Sequence, residues 1–189
     1  MVRSLGLLAL TVLCTATARA DLQLQPKLSE YELDGVKFRQ LVFSDGTRDD
    51  ITYSLPPGWT YLGTGTKLAL TPPDKMQAGA TITTVKLKEP ARFEDETVKT
   101  LTQQVLAAVP QGSTDVAIIS EEKNPVQIER KETLLVIVRY TFYGQKLERS
   151  ALFLNRGNEQ IRFQLTSKEE DFKELQRTFL GSQFSWQNL

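Results

Sequence analysis

Two spacings of apolar residues divide the chain. VKFRQLVFS (36–44) reads as a strand, and Ile51, Tyr53 and Leu55 alternate with polar neighbours. Between them DGTRDD (45–50) carries Asp45-Gly46, a strong turn signal, so a β-hairpin is expected. Pro56 and Pro57 have no N–H for a ladder, and the second strand should stop there. KLALT (67–71) is a further short strand, ended by Pro72-Pro73, and ATITTVKLK (80–88) is rich in β-branched residues. From about Glu94 the period becomes helical, with Val98, Leu101, Val105 and Val109 on one face and Leu106 beside them. Glu94, Asp95 and Glu96 sit where a helix dipole favours negative charge, and Pro110 and Gly112 mark the end.

Strand spacing then returns. VAIIS (116–120) and VQIE (126–129) read as short strands. LLVIVRYTFY (134–143) carries Leu134, Val136, Val138, Tyr140 and Phe142 on one face. Gly144-Gln145 and Arg156-Gly157-Asn158 turn the chain into KLERSALFLN (146–155) and then into the alternation of Ile161, Phe163 and Leu165. This predicts a three-strand antiparallel meander with one buried face. Ser167 and Glu170 have capping-box spacing, Phe172, Leu175, Phe179 and Leu180 line the helix that follows, and Gly181 is its expected stop. The fold class is therefore α+β, an antiparallel sheet flanked by helices.

Residues 1–20 stand outside that pattern. Arg3 precedes an apolar run from Leu5 to Cys14, and Ala18-Arg19-Ala20 has the small-x-small form of a signal-peptidase site. A run of about ten apolar residues is too short for a bilayer, which takes about 20. Leu13 is too bulky for a lipoprotein site before Cys14. The expectation is a cleaved signal peptide and a periplasmic or extracellular protein, compatible with a bacterial source. Residues 21–35 read as an N-terminal extension, interrupted by Pro26 and closed by Gly35, and residues 36–189 as a single domain without repeats. No later segment is long and apolar enough to span a membrane.

Charge and composition then narrow the chemistry. The full chain carries 23 basic and 23 acidic residues. Loss of Arg3 and Arg19 leaves 21 against 23, a net charge of about −2, which gives no electrostatic reason for nucleic-acid binding. The only cysteine, Cys14, leaves with the signal peptide, and there is no histidine. Ser-His-Asp and Cys-His catalysis and His/Cys zinc sites are thereby excluded from the mature chain.

The order of elements resembles the PsbP-like family, α/β/α sandwiches among photosystem accessory proteins with many exported bacterial relatives. The likeness lies in Tyr53-Ser54-Leu55-Pro56-Pro57-Gly58-Trp59, similar to the family's strand followed by Pro-x-x-Trp. It continues through the helix near 94–109, the meander, and Thr166-Ser167 leading to Asp171-Phe172. Ser182-Gln183-Phe184 resembles the family's terminal Ser-Phe with one residue inserted. The resemblance covers roughly residues 36–186 and implies a mostly non-catalytic protein that docks onto larger assemblies; it brings no binding residue with it.

Candidate sites are few. GTGTK (63–67) lacks P-loop spacing and precedes a strand, so it reads as a glycine-rich turn. DGTRDD lacks the glutamate of an EF-hand loop and reads as a solvated turn. Glu94-Asp95-Glu96 is explained by its helix start, and Glu121-Glu122-Lys123 and Lys168-Glu169-Glu170 by solvated charge and capping. Phe142, Phe163, Phe172 and Phe179 belong to core faces. Tyr31, Trp59, Tyr61, Phe93 and Trp186 lie in loops or near termini and form the candidate partner surface, since exposed Trp and Tyr are favoured anchors. For Trp59 and Trp186 the alternative is that they seal the sandwich. No cofactor and no metal is expected. The leading function is a secreted, non-catalytic binding or assembly module, its partner another exported or membrane-associated protein. A carrier for a small apolar ligand and a carboxylate- or Ser/Lys-based enzyme are the alternatives.

Overall fold

A computed structural model describes residues 22–44 and 50–188. Its elements are β1 (Lys27–Leu33), β2 (Val36–Phe43), β3 (Ile51–Tyr53), β4 (Thr60–Thr64), β5 (Lys67–Thr71) and β6 (Gly79–Lys86). α1 (Asp95–Ala107), β7 (Thr114–Lys123), β8 (Thr133–Phe142), β9 (Gln145–Arg156), β10 (Glu159–Lys168), α2 (Glu169–Gln183) and β11 (Gln187–Asn188) follow. Every pairing is antiparallel: four strands in the order β1-β2-β3-β11, and seven in the order β4-β5-β6-β10-β9-β8-β7.

The expected hairpin is present as β2 and β3, and KLALT is β5. The meander is β8-β9-β10, but both of its faces are buried. Leu134, Val136, Val138 and Tyr140 join Ala151 and Phe153 against the α1 stripe of Val98, Leu101 and Val105. On the opposite face Leu135, Leu152, Leu154, Ile161, Phe163 and Leu165 pack with α2 and the small sheet. Alternation in one strand identifies two faces but not how many layers cover them, and here a layer lies on each side.

Four other expectations differ. Residues 21–35 are no separate extension from residue 22 on: Leu22 and Leu24 are buried in the main core, and β1 pairs with β2 along its length. VQIE (126–129) forms no strand. It is a loop with Glu129 and Arg130 at φ 50° and 58°, closed by the Ile128–Lys131 bridge and by Asn124, whose side chain accepts from Thr133 N–H at 3.0 Å. Ile128 turns into the core there, and that burial sets the loop's shape.

Ser167 does not cap α2. Its pairing with Glu148 keeps it in β10, its hydroxyl donates to the Lys168 carbonyl at 3.1 Å, and Lys168 is the N-cap without a side-chain bond. The dipole is met instead by Glu169, Glu170 and Asp171 in the first turn. Nor does Gly181 stop the helix, which runs to Gln183. A glycine inside a helix costs about 1 kcal/mol, and the burial of Phe179, Gln183 and Trp186 around it offsets that cost.

Candidate partner surface

The Pro-Pro-Gly-Trp corner is a tight turn. Trp59 N–H donates to the Pro56 carbonyl at 3.1 Å, and Gly58 has φ 77°. Proline second and a left-handed glycine third are the residues a type II turn requires. The turn drives Trp59 inward, where its ring stacks on Phe179 of α2 at 5.9 Å with 7° between the planes. Trp59 is therefore a buried bracket between the corner and α2.

Trp186 is buried completely. Its ring lies 5.5 Å from Phe43, 6.0 Å from Tyr53 and edge-on to Phe163 at 5.3 Å. The stripe Phe172, Leu175, Phe179 continues through Gln183 to Trp186, which is the sequence signal for this inward position. Phe93 is also buried, packed beside the α1 stripe. Three of the five candidate aromatics thus offer no ring to a partner, because each precedes or follows an element whose inner face needs covering.

Tyr31 and Tyr61 remain open. Tyr31 lies opposite Phe38 across the β1–β2 ladder, and the rings stack at 5.2 Å with 14° between planes. The two are 44% and 40% exposed, a stacked aromatic surface that no second layer covers among the described residues. Phe38 is a member that periodicity within β2 does not single out; only the register with β1 pairs it with Tyr31. On the same ribbon Arg39 Nε donates to Glu30 at 2.8 Å. Tyr61 stands on β4 beside Leu62, which is 70% exposed.

The remaining polar candidates have structural work. In GTGTK, Gly63 lies in β4 where residues 22–26 cross it. A Cβ there would fall 2.3 Å from the Leu24 carbonyl oxygen and 2.5 Å from Pro26 Cδ, so the glycine permits a chain crossing. Residues 45–49 of DGTRDD lie outside the described residues, as does the proposed signal peptide. Asp95 pairs with Lys123 at 3.0 Å, and Glu169 with Arg139 at 3.0 Å. No group of three or more acidic side chains is arranged to hold a metal among the described residues.

Among the described residues carboxylates converge on two arginines, while Asp171, Glu170 and Glu174 gather around Lys75. Arg139 reaches Glu148 at 2.6 Å as well as Glu169, tying the β8–β9 ladder to the start of α2. The hydrogen bond to Glu148 holds the Arg139 guanidinium above its usual basicity. Arg156 lies 3.5 Å from Glu129 and 3.9 Å from Glu159, and donates to Asn188 at 2.8 Å. In both clusters a guanidinium stands between the acids, so neither pair is arranged as a proton donor and acceptor around a substrate. Arg162 is lowered in basicity by burial; it lies over the Phe153 ring at 4.8 Å and donates to Gln104 at 2.9 Å. An open depression of about 580 Å³ is lined by Glu96, Lys99, Thr100, Gln103, Gln104 and Ala107, all from the outward side of one helix.

Among the described residues no helix is long and apolar enough to cross a membrane. No family profile and no curated protein matches the chain. Among solved structures it is similar to cyanobacterial PsbP (CyanoP) from Synechocystis sp. PCC 6803. The TM-score is 0.56 and the identity 14%, over 93% of this chain and 97% of that one. A Pseudomonas aeruginosa protein of unknown function matches with TM-score 0.43 and 13% identity, over 83% of this chain and 94% of its own. A Bacteroides thetaiotaomicron protein matches with TM-score 0.44 and 14% identity, over 66% of this chain and 41% of its own. The antiparallel sheets with their two helices, together with the CyanoP likeness over nearly the whole of both chains, give this protein a PsbP-like fold.

Proposed function

We propose that the chain is an exported, non-catalytic binding or assembly module, which contacts another exported or membrane-associated protein through the β1–β2 hairpin. The observation that carries this reading is the exposed Tyr31–Phe38 stack. Paired aromatics present a rigid apolar surface with little side-chain entropy to lose on binding. Residues 1–20 support export through the form of a signal peptide, and a periplasm or extracellular space suits a mature chain without cysteine. The arginine-bridged carboxylates and the missing histidine support a non-catalytic role. The apolar-carrier alternative has no observation in its favour, since the inner face of the meander packs against α2, Phe43 and Trp186.

The test is a pull-down from the organism's exported fraction with wild type and a Tyr31→Ala/Phe38→Ala double variant. A partner retained by wild type and lost by the variant, at equal melting temperature, supports the proposal. A partner retained equally by both overturns the assigned surface. Measurable turnover without any reproducible partner overturns the function.

A further inference from the structure

β7 is the outermost strand of the large sheet, and no strand pairs with its outer side among the described residues. An open edge is a template for another extended chain, and most proteins guard such edges. The guards here are local. One extra residue enters β7 between Thr114 and Ala117 and another between Ile118 and Ser120, and Asp115 has φ 52°. Beyond these bulges Ser120–Lys123 runs in regular register against Leu134–Ile137.

The strand is apolar where the bulges lie and acidic beyond them. Val116, Ile118 and Ile119 are 44%, 46% and 45% exposed. Glu121 is opposite Val136, on the α1 side of the sheet, and accepts from Thr102 Oγ1 at 2.6 Å. Glu122 is opposite Leu135, on the other side, and accepts from Ser120 Oγ at 2.6 Å. The Lys123–Asp95 pair brings the first turn of α1, with Glu94 and Glu96, beside the same end of the strand. Asp115, Glu121 and Glu122 on β7 and Glu94, Asp95 and Glu96 at the start of α1 thus outnumber Lys123 and Lys99 of the same two elements, with Arg139 opposite Ala117 on the neighbouring strand.

We propose that β7 is a second docking edge, separate from the Tyr31–Phe38 surface, for an extended basic segment of another protein that adds antiparallel to the sheet. Strand addition supplies main-chain hydrogen bonds, and alternate side chains supply selectivity. Because Glu121 and Glu122 lie on opposite faces, two consecutive Lys or Arg residues match them, one on each side. Antiparallel pairing puts β-branched residues C-terminal to that basic pair, opposite Ile119, Ile118 and Val116. A second copy is the poorer occupant. Self-pairing about Ile118–Ile119 sets Asp115 opposite Glu122 twice by symmetry, and directly opposed like charges destabilise a strand pair.

The probe is a fluorescent peptide, acetyl-Lys-Lys-Ser-Val-Thr-Val-Thr-amide, titrated with the full chain. Its counterpart carries Glu-Glu in place of Lys-Lys. The basic peptide is expected to bind, to weaken as salt rises, and to protect amides of residues 116–123 from hydrogen exchange. Glu122→Lys, which disturbs only the Ser120 contact, is expected to weaken binding about tenfold or more at unchanged melting temperature. Several results overturn the proposal: no binding of the basic peptide, equal binding of its acidic counterpart, protection confined to β4 or β1, or a dimer whose β7 amides are protected without peptide. Because the Tyr31–Phe38 test uses a different surface, either assignment can fail alone.

Discussion

Two aromatic clusters of this protein have opposite fates. The rings of Phe43, Tyr53 and Phe163 each close on Trp186, and all four are wholly buried in the core shared with α2. On the β1–β2 hairpin, Tyr31 and Phe38 stack just as closely and remain open to solvent. Ring separations are similar in both, 5.2 Å against 5.3–6.0 Å; the difference that decides exposure is the presence of a second layer. An aromatic in this fold becomes a core residue where an element lies across it and a surface feature where the ribbon stands alone.

The contrast can be broken most forcefully at its buried end. Trp186→Ala empties the middle of the aromatic cluster and is expected to cost about 3–5 kcal/mol, read as a lowered urea midpoint. A change below about 1 kcal/mol would show that Trp186 does not hold the layers together. Trp59→Ala removes one stack on Phe179 at the rim of the same core and should cost less, about 2–3 kcal/mol.

Tyr53 sharpens the comparison through pH. Its hydroxyl is buried beside Ser182 at 2.8 Å, and burial pushes its pKa far above the usual value near 10, outweighing the opposing hydrogen bond. The folded state therefore keeps a proton that the unfolded chain releases above about pH 10. The stability contributed by this group is complete below that pH and is lost as pH rises, by up to about 1.4 kcal/mol per pH unit. Tyr140 adds a shift of the same sign, chiefly from burial. Tyr53→Phe should cost about 1 kcal/mol at neutral pH and flatten the decline between about pH 10 and 12, followed by urea unfolding. An unchanged alkaline slope would mean that the Tyr53 hydroxyl is solvated.

The smallest stability effect belongs to the open cluster. Removing both Tyr31 and Phe38 should change stability by about 1 kcal/mol or less, as for an isolated cross-strand pair. A loss of several kcal/mol would mean that the hairpin surface is a packing surface after all, and the comparison would collapse.

What the sequence reveals follows the range of the forces. The β2–β3 hairpin, α1 and the β8-β9-β10 meander are set by neighbouring turns and periods, and all were legible. Ile128 was not, because an apolar residue between polar ones suits a strand as well as a buried plug in a loop. Ser167 has a cap's spacing, yet its ladder with Glu148 on another strand overrides that local preference. Leu22 and Leu24 give two alternations before Pro26, too few to show that a distant core encloses them. For the candidate surface, residue type selected the aromatics, but only register and layering separated Tyr31 from Trp186.

The pairing of β11 with β3 has a consequence for how the chain is made. Thr52 donates to the Gln187 carbonyl across 135 residues of sequence. As the ribosome extends the chain, β3 waits for nearly all the described residues before its last neighbour arrives, and the aromatic cluster waits with it for Trp186. Long-range closure of this kind delays folding. A chain completed this late holds its central aromatic cluster open, without its closing strand, for most of its synthesis.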